Sequence, residues 1–345
     1  MTPPTLAEPH ALTRLKTLDA FRGLAILAVI LFHYTYRWGP LWPDHRDFYG
    51  FDSNLAWFAQ GRRGVEFFFL ISGFVIFMTL ERCRGWRDFA LRRFVRLYPT
   101  YIASMVLTFI AIGWFGLADF QRGSKEFFVG LTMMSDQFGI GWIDTVYWSL
   151  MIEVVFYAWV ALIYFSFRRH FVILWIGFCT LAALAYLWNA DRAWHIFAAP
   201  YLCFFTLGMA FYGIHAKRGL RFTAPLIAAA LIFYIAFWTK NSLAGHLTIA
   251  AAVLLFVLFL RGWLHWLGGG PLGFIGLISY PLYLLHQHIG VSLIAHMNMV
   301  PWLNGWPAVA ITALIAVALA SAVHYGIELP VQNVSKRFGG RTHHL

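Results

Sequence analysis

Ten mainly apolar runs recur along this 345-residue sequence, at about 19–36, 64–81, 98–118, 146–167, 171–189, 194–214, 223–239, 244–260, 272–296 and 306–326. Roughly 20 helical residues cross the hydrocarbon of a bilayer, and a helix satisfies its own backbone polar groups where no water is present to do so. The runs therefore predict an all-α, polytopic integral membrane protein, a bundle of about ten transmembrane helices. Composition agrees, because 60% of the residues are hydrophobic and only 12% are charged, where soluble chains carry about 25% charged residues. Residues 1–18 read as a cytoplasmic leader, 19–328 as the transmembrane domain and 329–345 as a cytoplasmic basic tail. No small-residue cleavage motif follows the first run, so that helix is expected to be a retained anchor.

A net charge of +11 suits either a polyanion partner or membrane topology, and the placement of the cations decides for topology. With the N-terminus inside, the inner segments collect seventeen Lys and Arg residues and the outer segments eight, with Arg22 left inside the first run. This predicts two cytoplasmic termini and no nucleic-acid partner, with anionic membrane lipid as a natural contact for the inner cations. Cys83, Cys179 and Cys203 lack a C-x-x-C spacing, and no His/Glu spacing resembles a zinc motif, so no metal is expected. The long outer loops 37–63 and 119–145 carry Trp38, Trp42, Phe48, Tyr49, Phe51, Trp57, Phe120, Phe127, Phe128, Phe138 and Trp142, which suit a membrane interface or the cover of a cavity.

An ionisable side chain in a spanning helix costs about 2.5 to 3.5 kcal/mol on insertion scales, so each one needs a partner, a wet cavity or a function. Arg22 and His33 are eleven residues apart, three helical turns plus about 20°, which places them on one face roughly 16 Å apart along the axis. Asp19 lies three residues before Arg22, so an ion pair at the helix entrance is the plainer reading of that pair. Ser149, Glu153 and Tyr157 form a polar stripe at i, i+4 and i+8. Glu66 opens a run containing Ser72 and Gly73, small residues that let another helix approach, and there packing is the favoured reading. Arg93 and Arg96 share one turn at the inner surface, where guanidinium forks suit phosphate oxygens and topology suits them equally. His286 and His288 face opposite ways and cannot form a metal pair.

These residues also fall into motifs. The stretch from Leu18 through Asp19, Arg22 and Gly23 to Ala25, with His33 beyond it, is followed by Gly64 to Phe74 around Glu66. Arg92-Arg93-Phe94-Val95-Arg96-Leu97-Tyr98-Pro99, then Trp148-Ser149-Leu150 with Glu153 and Phe156-Tyr157, and finally Ile278 to His286 complete the series. Together and in this order they resemble acyltransferase family 3, membrane-bound O-acyltransferases that act on surface polysaccharides, lipid-linked glycans and some small molecules. The resemblance implies a bacterial inner-membrane enzyme, a bundle of about ten helices, no permanently bound cofactor, acetyl-CoA or another acyl-CoA as co-substrate from the cytoplasm, and a hydroxyl acceptor. It implies an essential pair at Arg22 and His33, a donor-side role for Arg93 and Arg96, and an active-site role for Glu153, with Asp19, Ser149, Tyr157, Glu66 and His286 in support.

On that reading His33 is the general base toward the acceptor hydroxyl, since a neutral imidazole with an ordinary pKa near 6.5 suits the task. Glu153 is expected to orient it as the acid of a catalytic triad does. An acyl-histidine intermediate is the variant mechanism. Transfer to a small molecule or lipid, and a polytopic transporter of sugars or cations, are the alternative readings. The acceptor, acyl chain length and oligomeric state are not encoded in any motif.

Overall fold

The computed structural model describes residues 9–37 and 53–340. Of the aromatic residues expected at the interface, Trp38, Trp42, Phe48, Tyr49 and Phe51 lie outside the described residues. The described chain is helical, with no strand. Helix α1 (Pro9–Leu31) runs into a π turn, Phe32–Arg37, and a 3-10 helix, Ser53–Arg63, leads into α2 (Gly64–Arg82). Then come α3 (Trp86–Phe115), a short α4 (Ser124–Gly130), α5 (Trp148–Ser166), α6 (Phe171–Trp188), α7 (Ala190–Phe197), α8 (Leu202–His215), α9 (Leu220–Trp238) and α10 (Leu243–Leu260). Three pieces follow, α11 (Gly270–Leu277), α12 (Ser279–Leu285) and α13 (Gln287–Met297). Last are α14 (Trp306–Val323), a second π turn (His324–Glu328) and α15 (Leu329–Gly340).

Eight helical segments among the described residues are long and apolar enough to cross a membrane, and nine if α7 and α8 form one span with a 62° bend. That bend has a local cause. Ala198 sits at φ 54 in the left-handed region, which L residues disfavour, and Pro200 starts the next turn without an N–H to give. The expected run 272–296 is the tenth. It is divided at Ile278 and His286, although backbone bonds such as His286 N to Leu282 O (3.1 Å) and Gly290 N to His286 O (3.0 Å) cross both joints. Sequence length alone reads such a segment as one helix, because apolarity does not register a loosened turn.

Glycine fixes the closest helix pairs. A Cβ on Gly73 would lie 2.1 Å from the Phe205 carbonyl oxygen, and one on Gly208 would lie 2.2 Å from that of Leu70, so α2 and α8 meet backbone to backbone. The same holds for α1 and α11, where a Cβ on Gly276 would lie 1.7 Å from the Asp19 oxygen. These contacts pin α2 to α8 and α1 to α11, and a Cβ on Gly64 would lie 2.5 Å from the Ala25 carbonyl oxygen, which brings α1 and α2 together as well. The segment after α3 folds back into the bundle: Tyr101 donates to the Gly130 carbonyl (2.8 Å), Tyr98 to that of Leu131 (3.1 Å), and Gln121 to that of Ile112 (2.7 Å). Phe120 and Trp142 are buried there, while Phe128 and Phe138 stay exposed.

Candidate active site

A cavity of about 100 Å³ lies between α1, α2, α3, α5 and α12. Its polar walls are Arg22, Ser72, Arg93, Arg96, Ser149, Glu153, Tyr157, Ser279, Tyr280 and Tyr283. Six of the ten residues singled out by sequence thus meet in one space, although they come from three helices. The α5 stripe forms as expected: Glu153 Oε1 accepts from Ser72 Oγ (2.6 Å) and from Tyr157 OH (2.5 Å), one partner from α2 and one from its own helix. Ser149 Oγ and Tyr283 OH are 2.8 Å apart.

The three guanidinium groups differ in how they are held. Arg22 Nη1 donates to Asp19 Oδ1 at 2.9 Å, the i,i+3 pair. Arg96 is paired with Glu328, a buried carboxylate from the second π turn. Arg93 has no carboxylate partner among the described residues. Its Nη2 reaches Thr79 Oγ1 at 3.3 Å, its guanidinium lies 5.8 Å from the Phe89 ring centre and 5.9 Å from that of Tyr157, and its Nε has no acceptor among the described residues. A cation in an apolar wall with unused donors is disposed to take an anionic oxygen.

His33 lies outside this lining and its partner is histidine. Its Nδ1 is 3.0 Å from His286 Nε2, and His286 Nδ1 is 2.8 Å from the Tyr283 carbonyl oxygen. A carbonyl only accepts, so His286 carries its proton on Nδ1 and presents a lone pair at Nε2. His33 must then donate from Nδ1, which leaves His33 Nε2 as the basic nitrogen. The His286 carbonyl is held in turn by Tyr34 OH at 2.8 Å, and Gly290 makes room for that tyrosine, since a Cβ there would lie 2.1 Å from its oxygen.

This corrects the expected role of Glu153, which makes no hydrogen bond to His33: its bonded oxygen is taken by Ser72 and Tyr157, and the imidazole is oriented by His286. Arg22 and His33 do look onto the same neighbour. Arg22 shares the cavity with Ser279, Tyr280 and Tyr283 of α12, and His33 meets His286 immediately after it. Tyr283 stands between the two regions, lining the cavity with its ring 5.7 Å from that of His286.

Glu66 follows the packing reading: it is not part of the cavity, where the resemblance had implied a supporting role. It pairs with Arg63 Nη1 at 2.8 Å, both side chains are buried, and Arg63 also reaches Asn241 Oδ1 at 2.5 Å and lies 5.2 Å from the Trp238 ring centre. His288 is packed too, its ring stacked on Phe120 at 4.0 Å and its backbone N–H donated to Asp144 (2.8 Å). Tyr34, Asp144, Tyr283 and Glu328 were not singled out by sequence. Glu328 was hidden because its apolar run ends at about 326, two residues short of it. No cluster of three or more His, Cys, Asp or Glu among the described residues is arranged to hold a metal.

The comparisons with known proteins point the same way. The family model described as an acyltransferase domain, that of acyltransferase family 3, matches residues 15–325. A relative named "Putative membrane-bound transacylase BcsY", from Komagataeibacter xylinus, is 25% identical over 309 residues, covering 79% of this chain and 72% of its own. No solved structure matches. With its apolar helices and the match over nearly its whole length, the chain belongs to acyltransferase family 3 and is an integral membrane acyltransferase.

Proposed function

We propose that the protein transfers an acyl group, acetyl in the simplest case, from cytoplasmic acyl-CoA to a hydroxyl of a surface or lipid-linked glycan, with His33 Nε2 as the general base. The observation that carries this reading is the hydrogen-bond chain from His33 through His286 to the Tyr283 carbonyl, which leaves one imidazole nitrogen free to accept a proton. It stands next to a cavity walled by three arginines.

In this scheme the acceptor oxygen attacks the thioester carbonyl carbon while Nε2 takes the hydroxyl proton. The tetrahedral intermediate then expels the CoA thiolate, which recovers that proton from the imidazolium. His286 supports the charged intermediate state by accepting from Nδ1–H, the part first given to Glu153. Arg93, with its unused Nε–H, and Arg96 take CoA phosphate oxygens, and Arg22, fixed by Asp19, lines the path of the pantetheine arm. Glu153 fixes the wall that the arm passes. The cation asymmetry supports a cytoplasmic donor side with both termini inside. The transporter reading is not favoured, because the family model that matches residues 15–325 is described as an acyltransferase domain.

The test is turnover by purified protein in vesicles supplied with acetyl-CoA and the glycans of a native host. Expected are one free thiol and one alkali-labile O-acetyl ester per event. An acetylated amine in place of the ester would contradict O-transfer.

A further inference from the structure

The second π turn deserves a role of its own. It follows α14 at His324–Glu328, and wide turns of this kind are frequent at functional sites. It buries a carboxylate, Glu328, at 1% exposure. Oε1 of Glu328 accepts from Arg96 Nη1 and from Gln332 Nε2 (3.1 Å), and Oε2 lies 2.8 Å from His324 Nδ1. Glu328 is not among the cavity walls, whereas Arg96 is, with 34% of its side chain exposed. The acid therefore stands behind the arginine. An anion arriving through the cavity meets the guanidinium and not the carboxylate.

We propose, resting on the donor reading above, that Glu328 is a positioning residue for the acyl-CoA site: it holds Arg96 by one nitrogen so that the other donors stay presented to a phosphate group. An arginine has five N–H donors in a rigid fork, and Glu328 takes from Nη1 alone. An unanchored arginine loses rotamer freedom when it binds a phosphate, and anchoring removes that cost beforehand. His324 and Gln332 keep the acid from following the arginine into the cavity. Arg93 has no such acid and is held by Thr79 and two rings, so the donor site combines one fixed and one adaptable arginine.

The experiment measures CoA affinity directly, by calorimetry on purified protein, together with KM for acetyl-CoA and kcat. Glu328→Ala should weaken CoA binding and raise KM about tenfold, with kcat changed less than about twofold and with the loss absent in an Arg96→Ala background, the non-additivity of a shared contact. Glu328→Gln, which keeps an acceptor oxygen for Arg96, should recover part of the affinity and guards against misfolding of the alanine variant. If Glu328→Ala binds CoA as tightly as wild type, or more tightly, while Arg96→Ala binds weakly, Glu328 is a bystander or a competitor and the proposal fails. If Arg96→Ala itself leaves CoA affinity unchanged, the donor assignment of Arg96 falls first and the role of Glu328 with it. A lowered melting temperature and a lowered kcat, with KM and the CoA affinity of the folded fraction unchanged, identify a merely structural acid.

Discussion

Two clusters of arginine and carboxylate are sunk among apolar helices, and they are built for different ends. Around Arg63, one guanidinium is enclosed by Glu66, Asn241 and the Trp238 ring, with Arg63 and Glu66 6% and 7% exposed. Around Arg22, Arg93 and Arg96, three guanidinium groups face a cavity, and each charged partner lies to the side of it or behind it. Insertion cost is similar for an arginine in either place, so a charge in the hydrocarbon does not by itself mark a working site. Both keep a guanidinium Nε without a protein acceptor among the described residues, at Arg63 and at Arg93, so what separates the clusters is whether the guanidinium groups line a space that an arriving group can enter.

This contrast can be broken in several ways. The largest effect is expected from replacing Arg93 and Arg96 together with alanine, which should weaken CoA affinity about a hundredfold or more, by the loss of two charge-assisted contacts at roughly 1.5 to 3 kcal/mol each. Calorimetry checks it, and unchanged affinity returns both residues to a topogenic role. Next, His286→Ala should lower kcat by about tenfold to a hundredfold through loss of imidazole orientation, with CoA affinity unchanged in the same titration. The other cluster should answer differently. Glu66→Ala leaves Arg63 buried and unpaired, a loss of about 3 to 5 kcal/mol of stability, read as a lowered melting temperature, while CoA affinity of the folded fraction stays within about twofold of wild type. A large affinity loss there would dissolve the distinction between the clusters. The smallest effect is expected from Tyr34→Phe, which removes one hydrogen bond to the His286 carbonyl and should cost about 1 kcal/mol, seen as a modest fall in kcat.

Much of this was legible in the sequence because it is carried within single helices. The apolar runs locate the spans, and the i, i+4, i+8 spacing places Ser149, Glu153 and Tyr157 on one face that does line the cavity. Motif order brings Arg22, Arg93 and Arg96 to that same place. What sequence spacing does not encode is which faces of different helices meet. His33 and His286 are 253 residues apart, and their pairing depends on where Gly23 and Gly276 let α1 and α11 touch. For the same reason Glu153 was given an imidazole that His286 holds instead. The inward fold of 117–147 also escaped, because its anchors are tyrosine hydroxyls on backbone carbonyls, and a carbonyl has no sequence signature.

In the proposed mechanism His33 moves the proton and does little to bind the donor. This is tested most directly by His33→Ala, assayed side by side for CoA affinity and for single-turnover acyl transfer from saturating acetyl-CoA. CoA affinity is expected within about twofold of wild type and the transfer rate lower by about 10² to 10⁴. A folded His33→Ala protein that transfers at the wild-type rate, or one that keeps its rate and loses its CoA affinity, would contradict that mechanism.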